Sequence, residues 1–229
     1  MVGATKTNLV IGQGEIGKAL ASILDCPSHD LEPVEAEHYD IIHIAIPYSK
    51  GFKKAVKAYQ KRYTPEHTVI HSTVPVGTSK SLGACHSPVT GVHPHLRESI
   101  KTFIKFVGGE DSDIVAAEMR RYNIQTEAVL SSDDTEAGKI LALQMYGINI
   151  LLEKEAYQYC QKNGLDYNIV YTQFVKMYNK GYENMGMKHI KTYELNHVEG
   201  GIGGHCVVQN GPMIKTIFGK LLKKYGRRT

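Results

Sequence analysis

The sequence predicts an α/β protein in which a Rossmann-like, doubly wound parallel sheet is followed by an all-helical domain with a long central helix. The stretch "TNLVIGQGEIGKALASIL" places an apolar strand, a glycine turn and an amphipathic helix in succession. Strand and helix patterns then alternate. From Ser132 onward, apolar residues recur at helical spacing instead. We therefore predict two domains, residues 1–131 and residues 132–229.

Composition places the chain among folded proteins. Its 229 residues are 42% hydrophobic and 22% charged, which is the globular range. We find no apolar run of membrane-spanning length and expect no secretory signal. The four cysteines form no Cys-x-x-Cys pair, so free thiols in a reducing, cytoplasmic compartment are expected. The tail "KTIFGKLLKKYGRRT" has six basic residues and no acidic one. Such a tail could touch an acidic lipid or a nucleic acid, but we interpret it as a solvated terminal helix and expect neither a membrane nor a nucleic acid as partner.

The glycine turn predicts a dinucleotide site. Gly12 permits the tight turn, Gly14 lets a pyrophosphate approach the backbone, and Gly17 lets the helix pack closely on the strand. The N–H groups at the start of the helix, at Glu15 and Ile16, would then face the phosphates. The alternative is a glycine turn that only packs a helix against a strand.

An acidic residue should follow the second strand and bind the ribose hydroxyls. Asp30 in "SHDLEP" is the first candidate and Glu32 the second. So little chain separates them from the next strand, "YDIIHIAIP", that the second strand–helix unit must be abbreviated. No Lys or Arg stands between Lys18 and Lys50. A 2′-phosphate would lack a cationic partner there, so NAD is favoured over NADP.

The remaining strands of the first domain predict where a ligand would lie. "DIIHIAIP", "HTVIHSTVP" and "FIKFVGG" are expected to be strands, separated by the helices "GFKKAVKAYQKRY" and "DSDIVAAEMRRY" and by a His-rich loop. Ligands of doubly wound sheets bind beyond the carboxyl ends of the strands. Pro47 and Thr73 should therefore gather beside the glycine turn.

The second domain opens with an unusually long helix. "DDTEAGKILALQMYGINILLEKEAYQYCQKNG" begins with Asp and Thr as caps and closes with Asn163-Gly164. Its length would be about 45 Å. A helix of this length and apolar content normally packs on a partner, so we expect a homodimer formed through helix 133–163.

Two cysteine-containing segments invite a chemical interpretation. Cys206 follows four glycines in "GGIGGHC", which suggests an exposed thiol, although it could also be a small residue that fills a turn. "CHSPVTGVHPH" offers zinc-type ligands in Cys85, His86, His93 and His95. Their spacing matches no established metal pattern, so we predict no metal and interpret the segment as a polar or substrate-contacting loop.

Several separated segments together resemble one family. "GQGEIGKAL", "IAIP", "HSTVPVGTS", "LRES", "TEAGKILAL" and "GGIGGHC" resemble the UDP-sugar 6-dehydrogenases, which act on UDP-glucose or UDP-N-acetylmannosamine, and occur in that family's order. The family oxidises a primary alcohol twice to a carboxylate, using two NAD. The resemblance therefore implies an NAD-dependent enzyme whose substrate is a sugar nucleotide or a smaller molecule.

The resemblance also implies roles for individual residues. Cys206 would be the thiolate that captures the aldehyde, and Lys139 would stabilise oxyanion charge. Thr73 would lie near the water and the nicotinamide, and Glu98 would assist proton transfer or thioester hydrolysis. The residues implied in substrate binding are His95, Arg97, Gly203, Gly204 and His205.

The chain departs from the family pattern in ways that leave alternatives open. Leu143 stands where asparagine is usual, and Asn210 stands where the family has aspartate. Asn210 cannot act as a general base. The resemblance also leads us to expect that the family's C-terminal UDP-binding domain is absent. Three hypotheses remain. The chain could be a shortened dehydrogenase that acts through Cys206, or a superfamily dehydrogenase or reductase that needs only Lys139. It could also be a non-catalytic nucleotide-binding protein.

Overall fold

The computed structural model describes residues 6–30, 38–202 and 205–226. The chain divides into two compact units, Met1–Lys139 and Ile140–Thr229. The sequence-based boundary lay between residues 131 and 132. The two units are described separately below.

The first unit contains a seven-stranded sheet in the order β2-β1-β3-β4-β5-β6-β7. Its strands are β1 (Asn8–Ile11), β2 (Ser28–His29), β3 (Ile41–Ile44), β4 (His67–Ile70), β5 (Cys85–His86), β6 (Lys105–Gly108) and β7 (Thr126–Val129). Neighbouring strands are parallel except for β5 and β6, which pair antiparallel. The predicted α/β, Rossmann-like architecture is confirmed.

Helices cover the sheet on both faces, which explains why the central strands are buried and largely apolar. The helices are α1 (Glu15–Leu24), α2 (Phe52–Tyr63), α3 (Leu96–Thr102) and α4 (Ser112–Arg121), with a 3₁₀ turn at Lys80–Leu82. One apolar cluster joins strand residues to Leu20, Ile100 and Met119 of α1, α3 and α4. The other joins the opposite strand face to Phe52 and Val56 of α2. Every residue of β3 is consequently buried.

The structure differs from the predicted elements at several places. β5 lies inside the segment predicted to be a His-rich loop, and β7 was not predicted at all. The abbreviated second strand is present as β2, and no helix occurs between β2 and β3 in the part of that connection that the structure describes. Glu32 lies outside the described residues. Helix α4 begins after Asp111, whose side chain makes no capping hydrogen bond.

The second unit is helical, and its described residues contain no strand. Helix α5 (Ser132–Asn163) begins in the first unit; the second contains α6 (Phe174–Asn184), α7 (His205–Asn210), α8 (Ile217–Tyr225), a π-helix (Asn168–Gln173) and 3₁₀ turns (Lys188–Ile190, Gly211–Met213). An apolar cluster around Ile202, Val207 and Leu222 forms its core. Among the described helices, none combines the length and the apolar content needed to cross a membrane.

Candidate functional site

The glycine turn after β1 has a geometry that only glycine can supply at two positions. Gly12 has φ of +109°, and a Cβ there would lie 2.6 Å from the carbonyl oxygen of Ala45. A Cβ on Gly17 would lie 1.7 Å from the carbonyl oxygen of Gly12. Around Gly14, by contrast, a Cβ would meet nothing within 4 Å. The turn therefore seats α1 tightly against the sheet and keeps its outer side open.

The start of α1 is suited to an anion. Its N-cap residue is Gly14, which offers no side-chain acceptor to the first N–H groups of the helix. Those N–H groups belong to Glu15, Ile16 and Gly17, and the positive end of the helix dipole lies there. The carboxylate of Glu15 contacts the ring of His93. Glu15 is the one acidic group of the first turn, and its contact with His93 gives that negative charge a partner.

Asp30 lies beside the glycine turn. The backbone N–H of Gly12 donates to the carbonyl of His29 at 2.8 Å, and Gln13 Nε2 donates to the carbonyl of Ser28 at 3.0 Å. Both acceptors belong to β2, and Asp30 follows directly as an exposed residue. Asp30 therefore follows the part of β2 that is hydrogen-bonded to the turn, which is where an acceptor for ribose hydroxyls is expected.

The ends of β3 and β4 lie at the same edge as the turn. The N–H of Ala45 donates to the carbonyl of Ile11 at 2.8 Å, which places the exposed Pro47 just beyond β3 and next to β1. The hydroxyl of Ser72 donates to the carbonyl of Ile46 at 2.5 Å and joins the two strand ends. The half-exposed Thr73 follows. Pro47, Thr73 and the glycine turn therefore share one edge of the sheet, as predicted.

The first turns of α5 are attached to these strand ends through His86. Its Nε2 donates to the carbonyl of Ser72 at 3.2 Å, which leaves Nδ1 to accept from the hydroxyl of Thr135 at 2.8 Å. Burial lowers the pKa of His86 to about 3, so the ring is neutral and this arrangement is available. Thr135, predicted as a cap, lies inside the helix, which begins at Ser132.

Glu136 and Lys139 complete the attachment. The buried carboxylate of Glu136 accepts from the N–H groups of Gly77 at 2.7 Å and Ser79 at 2.8 Å, in the segment after β4. Burial raises the pKa of Glu136, and these donors oppose that rise. Lys139 Nζ donates to the carbonyl of Val89 at 2.9 Å. Because Val89 follows β5, which is parallel to β4, Lys139 comes to the same edge as Thr73.

The predicted substrate residues of the first unit are at its surface. His95, Arg97 and Glu98 are exposed at the start of α3. Arg97 Nε donates to the hydroxyl of Ser22 on α1 at 3.3 Å. No described hydrogen bond connects these three side chains to Lys139, Thr73 or Pro47.

Cys206 belongs to the second unit. It lies in the first turn of α7 and is exposed, whereas Cys26, Cys85 and Cys160 are buried or half-buried. Burial raises the pKa of Cys26 to about 12 and that of Cys85 to about 11. Of the four cysteines, all described, only Cys206 presents an accessible thiol. His205 begins the same helix, and Gly203 and Gly204 lie outside the described residues.

The positions that depart from the family pattern have structural roles here. Leu143 packs against the apolar core of the second unit. The neighbouring Gln144 is buried, donates to the carbonyls of Gly211 at 2.7 Å and Ile214 at 3.1 Å, and accepts from Thr216 at 2.6 Å. Asn210 ends α7. The hydrogen bonds of Gln144 hold the segment after α7 against α5.

The possible metal ligands do not converge. Within the described ranges, no group of three or more His, Cys, Asp or Glu side chains is placed to hold a metal ion. His86 is engaged with Thr135 and Ser72, and His93 contacts Glu15. A cavity of about 250 Å³ beside Cys85 lies at the opposite edge of the sheet from the glycine turn, so it is separate from the candidate site.

Sequence reasoning missed the residues that hold Lys139 in place, namely His86, Thr135 and Glu136. The signals available were a histidine inside a buried segment and the Thr-Glu pair just before Lys139. Neither signal predicts which residue forms the hydrogen bond.

Comparisons with known proteins support the fold. No protein-family model matches the sequence, and no curated protein sequence matches it. Solved structures do match this chain, whose fold is Rossmann-like. The structure of UDP-D-ManNAc dehydrogenase from Pyrococcus horikoshii matches with a TM-score of 0.76 at 12% identity, covering 96% of this chain and 68% of that one.

Two further structures extend the comparison. The UDP-N-acetyl-mannosamine dehydrogenase of Staphylococcus aureus matches with a TM-score of 0.69 at 17% identity, covering 96% of this chain and 67% of that one. The 3-hydroxyisobutyrate dehydrogenase of Salmonella typhimurium matches with a TM-score of 0.54 at 12% identity, covering 79% of each chain. At such identities the likeness establishes a shared fold.

Proposed function

We propose that this chain is an NAD-dependent oxidoreductase of the UDP-sugar dehydrogenase type, which oxidises an alcohol or aldehyde of a sugar nucleotide or a smaller substrate. The observation that carries the proposal is the glycine turn, whose outer side is open, whose helix start is uncapped and which hydrogen-bonds the backbone just before Asp30. The likeness to solved dehydrogenases and the family's motifs in the sequence support it.

The residues at the sheet edge fit a dinucleotide. The first N–H groups of α1, at Glu15, Ile16 and Gly17, would hold the pyrophosphate. Asp30 would accept hydrogen bonds from the ribose hydroxyls, and the sequence between Lys18 and Lys50 has no Lys or Arg to favour a 2′-phosphate. Pro47 and Thr73 would border the nicotinamide. When bound, NAD supplies the hydride acceptor.

The remaining residues would act on the substrate. The ammonium group of Lys139 would stabilise negative charge that develops on the substrate oxygen, beside the hydroxyl of Thr73. The accessible thiol of Cys206 would capture an aldehyde as a thiohemiacetal. Glu98 would assist proton transfer. The proposed substrate contacts are His95, Arg97, Gly203, Gly204 and His205.

Cofactor binding is tested by calorimetric titration with NAD⁺, NADH and NADP⁺. The Asp30→Ala variant should weaken NAD⁺ binding about 10- to 100-fold, because a charge-assisted hydrogen bond is lost. Asp25→Ala is the matched control, since Asp25 is an exposed acid at the other end of α1. If the unmodified chain binds none of the three dinucleotides, or if both variants weaken binding equally, the proposal fails.

A second candidate is supported by the position of Lys139. This lysine is in the same unit as the glycine turn and is anchored to Val89 at the sheet edge. A dehydrogenase or reductase could therefore use Lys139 as its acid/base, with Cys206 a bystander.

Turnover measurements on a panel of sugar nucleotides, sugars and hydroxy acids separate these candidates. Loss of turnover in both Lys139→Met and Cys206→Ser would support the thiol-dependent reaction, and loss in Lys139→Met alone the second candidate. Lys101→Met and Cys26→Ser are the matched controls. Dinucleotide binding without any turnover would instead indicate a non-catalytic nucleotide-binding protein.

We also propose that the protein is a homodimer formed through α5. Leu141, Met145, Leu152 and Tyr159 are exposed, and their spacing places them within about 40° of one another around the helix. Leu152→Lys should shift the molar mass, measured by light scattering, from dimer to monomer. Gln161→Lys, at an exposed position on the opposite side of the helix, should leave it unchanged. A monomeric unmodified chain would contradict the proposal.

A further inference from the structure

Helix α8 packs through one side and exposes large apolar side chains on the other. Gly219 and Leu222 are buried against the second unit's core. Ile217 is 74% exposed, Phe218 51% and Leu221 36%. These three residues fall within about 100° of one another around the helix axis. α8 therefore presents a continuous apolar strip that nothing in the described chain covers.

Basic residues surround this strip. Lys215, Lys220, Lys223 and Lys224 are all exposed, and no acidic residue occurs in the sequence after Glu199. The chain has 27 basic and 23 acidic residues, and six of the basic ones lie from Lys215 onward. Without those six, acidic residues would outnumber basic ones. The positive excess of the whole chain thus comes from this segment.

We propose that α8 is a docking surface for an anionic lipid bilayer. Ile217, Phe218 and Leu221 would enter the boundary between headgroups and acyl chains, while the lysines contact lipid phosphates. Amphipathic helices with basic flanks bind anionic membranes in this way, lying in the interface. The helix has nine residues and so would lie on the membrane without crossing it.

The combination of charge and apolar surface distinguishes a bilayer from other polyanions. A nucleic acid would use the lysines but would offer no apolar partner to Ile217 and Phe218. Helix α2 provides an internal comparison, because its exposed residues include Lys53, Lys54 and Lys57 whereas its apolar Phe52 and Val56 are buried. It carries positive charge without an exposed apolar strip.

Vesicle co-sedimentation tests the proposal. The full chain is mixed with phosphatidylcholine vesicles, with or without phosphatidylglycerol, at about 0.15 M salt. We expect binding only to the anionic vesicles. Replacing Ile217 and Phe218 by Ser should weaken binding at least about tenfold, and replacing Lys220, Lys223 and Lys224 by Gln about a hundredfold. Because these side chains are exposed, circular dichroism should show unchanged folding.

The matched control replaces Lys53, Lys54 and Lys57 of α2 by Gln, which should change binding by less than about threefold. Equal losses in the α2 and α8 charge variants would overturn the proposal, as would absence of binding to anionic vesicles. If the Ser variant binds vesicles normally while duplex DNA competes, the segment binds polyanions in general. If the Ser variant changes only the molar mass of the protein, a second copy of the chain covers α8. Either result would refute lipid docking.

Discussion

Four buried histidines among the described residues should make the first unit sensitive to acid: burial lowers the pKa of His29, and more strongly that of the other three. His43, His71 and His86 are almost inaccessible to solvent. Nδ1 of His43 and Nε2 of His71 are 3.0 Å apart, and the outer nitrogens of this pair contact Asn8 and Ser87. Burial lowers the pKa of His43 and of His86 to about 3 and holds that of His71 well below its usual range. All three are therefore neutral in the folded protein near pH 7.

The sign and size of the effect follow from proton linkage. Unfolding restores an ordinary pKa of about 6.5, so the unfolded chain binds more protons below that pH. Stability is complete above this value and is lost as the pH falls from there toward 3. The slope from each histidine rises to about 1.4 kcal/mol per pH unit only well below the unfolded pKa, and it integrates to about 1.4 kcal/mol between about pH 7.5 and about pH 5.5. The three together therefore remove about 4 kcal/mol over this range. A typical domain has about 5–15 kcal/mol in total.

Two other buried groups modify this dependence. Burial lowers the pKa of Lys105, which extends the rise in stability to higher pH. Burial raises the pKa of Glu136, which acts in the opposite sense. A buried group changes the slope wherever the pH lies between its folded and unfolded pKa. The contribution of the histidines is therefore the part of the slope that histidine substitutions remove.

The assay combines urea unfolding, followed by circular dichroism across this pH range, with NMR titration of the histidine C2 protons. His86→Gln should reduce the loss of stability between about pH 7.5 and about pH 5.5 by about 1.4 kcal/mol. His189→Gln, at an exposed position, should leave the slope unchanged. The reasoning is refuted if the three buried rings titrate near pH 6.5 in the folded protein, or if the free energy of unfolding changes by less than about 1 kcal/mol.

Three further predictions concern packing and the site. Gly17→Ala should unfold the first unit in thermal melts, because its Cβ would overlap the carbonyl of Gly12, whereas Gly14→Ala should keep the melting temperature and weaken NADH binding in calorimetry. Glu136→Gln should lower the free energy of unfolding in urea by about 1–3 kcal/mol, since the amide nitrogen would face one of two backbone N–H donors. Leu222→Ala should cost about 2–5 kcal/mol by the same measurement, because Leu222 is fully buried; a smaller loss would mean that the core collapses around the change.

The strand–turn–helix unit and the long helix could be predicted because their signals are local. Gly12 to Gly17 follow one another directly, and α5 keeps a helical period and ends at Asn163 as predicted. β5 and β7 could not be found in the same way. β5 has two residues, and only its pairing with β4 and β6 makes it a strand. β7 is short and only half-buried, so it lacks the apolar pattern of the central strands.

The sequence predicts which edge of the sheet holds the candidate site, but not the hydrogen bonds that attach α5 to that edge. Parallel strands end at one edge, so Pro47 and Thr73 could be placed next to the glycine turn from topology alone. The hydrogen bond between His86 and Thr135 joins residues 49 positions apart, and that between Gly77 and Glu136 joins residues 59 apart. Such contacts depend on how α5 packs on the strands, which no local pattern encodes.

The contacts of Lys139 and of the helix turn before it determine which substitution tests catalysis and which tests folding. Thr135 and Glu136 bind the strand ends one turn before Lys139, so the course of α5 there does not depend on the lysine's own contact with Val89. Removing its ammonium group should therefore leave the helix in place, and lost turnover would measure lost charge stabilisation. Placing at Leu143 the asparagine of the UDP-sugar dehydrogenases that the sequence resembles is different, because it would put an amide against the apolar core, where Leu143 is half-buried, and cost stability. The departure at Leu143 is thus part of the packing of the second unit, and the chemistry of this chain is best approached through Lys139 first.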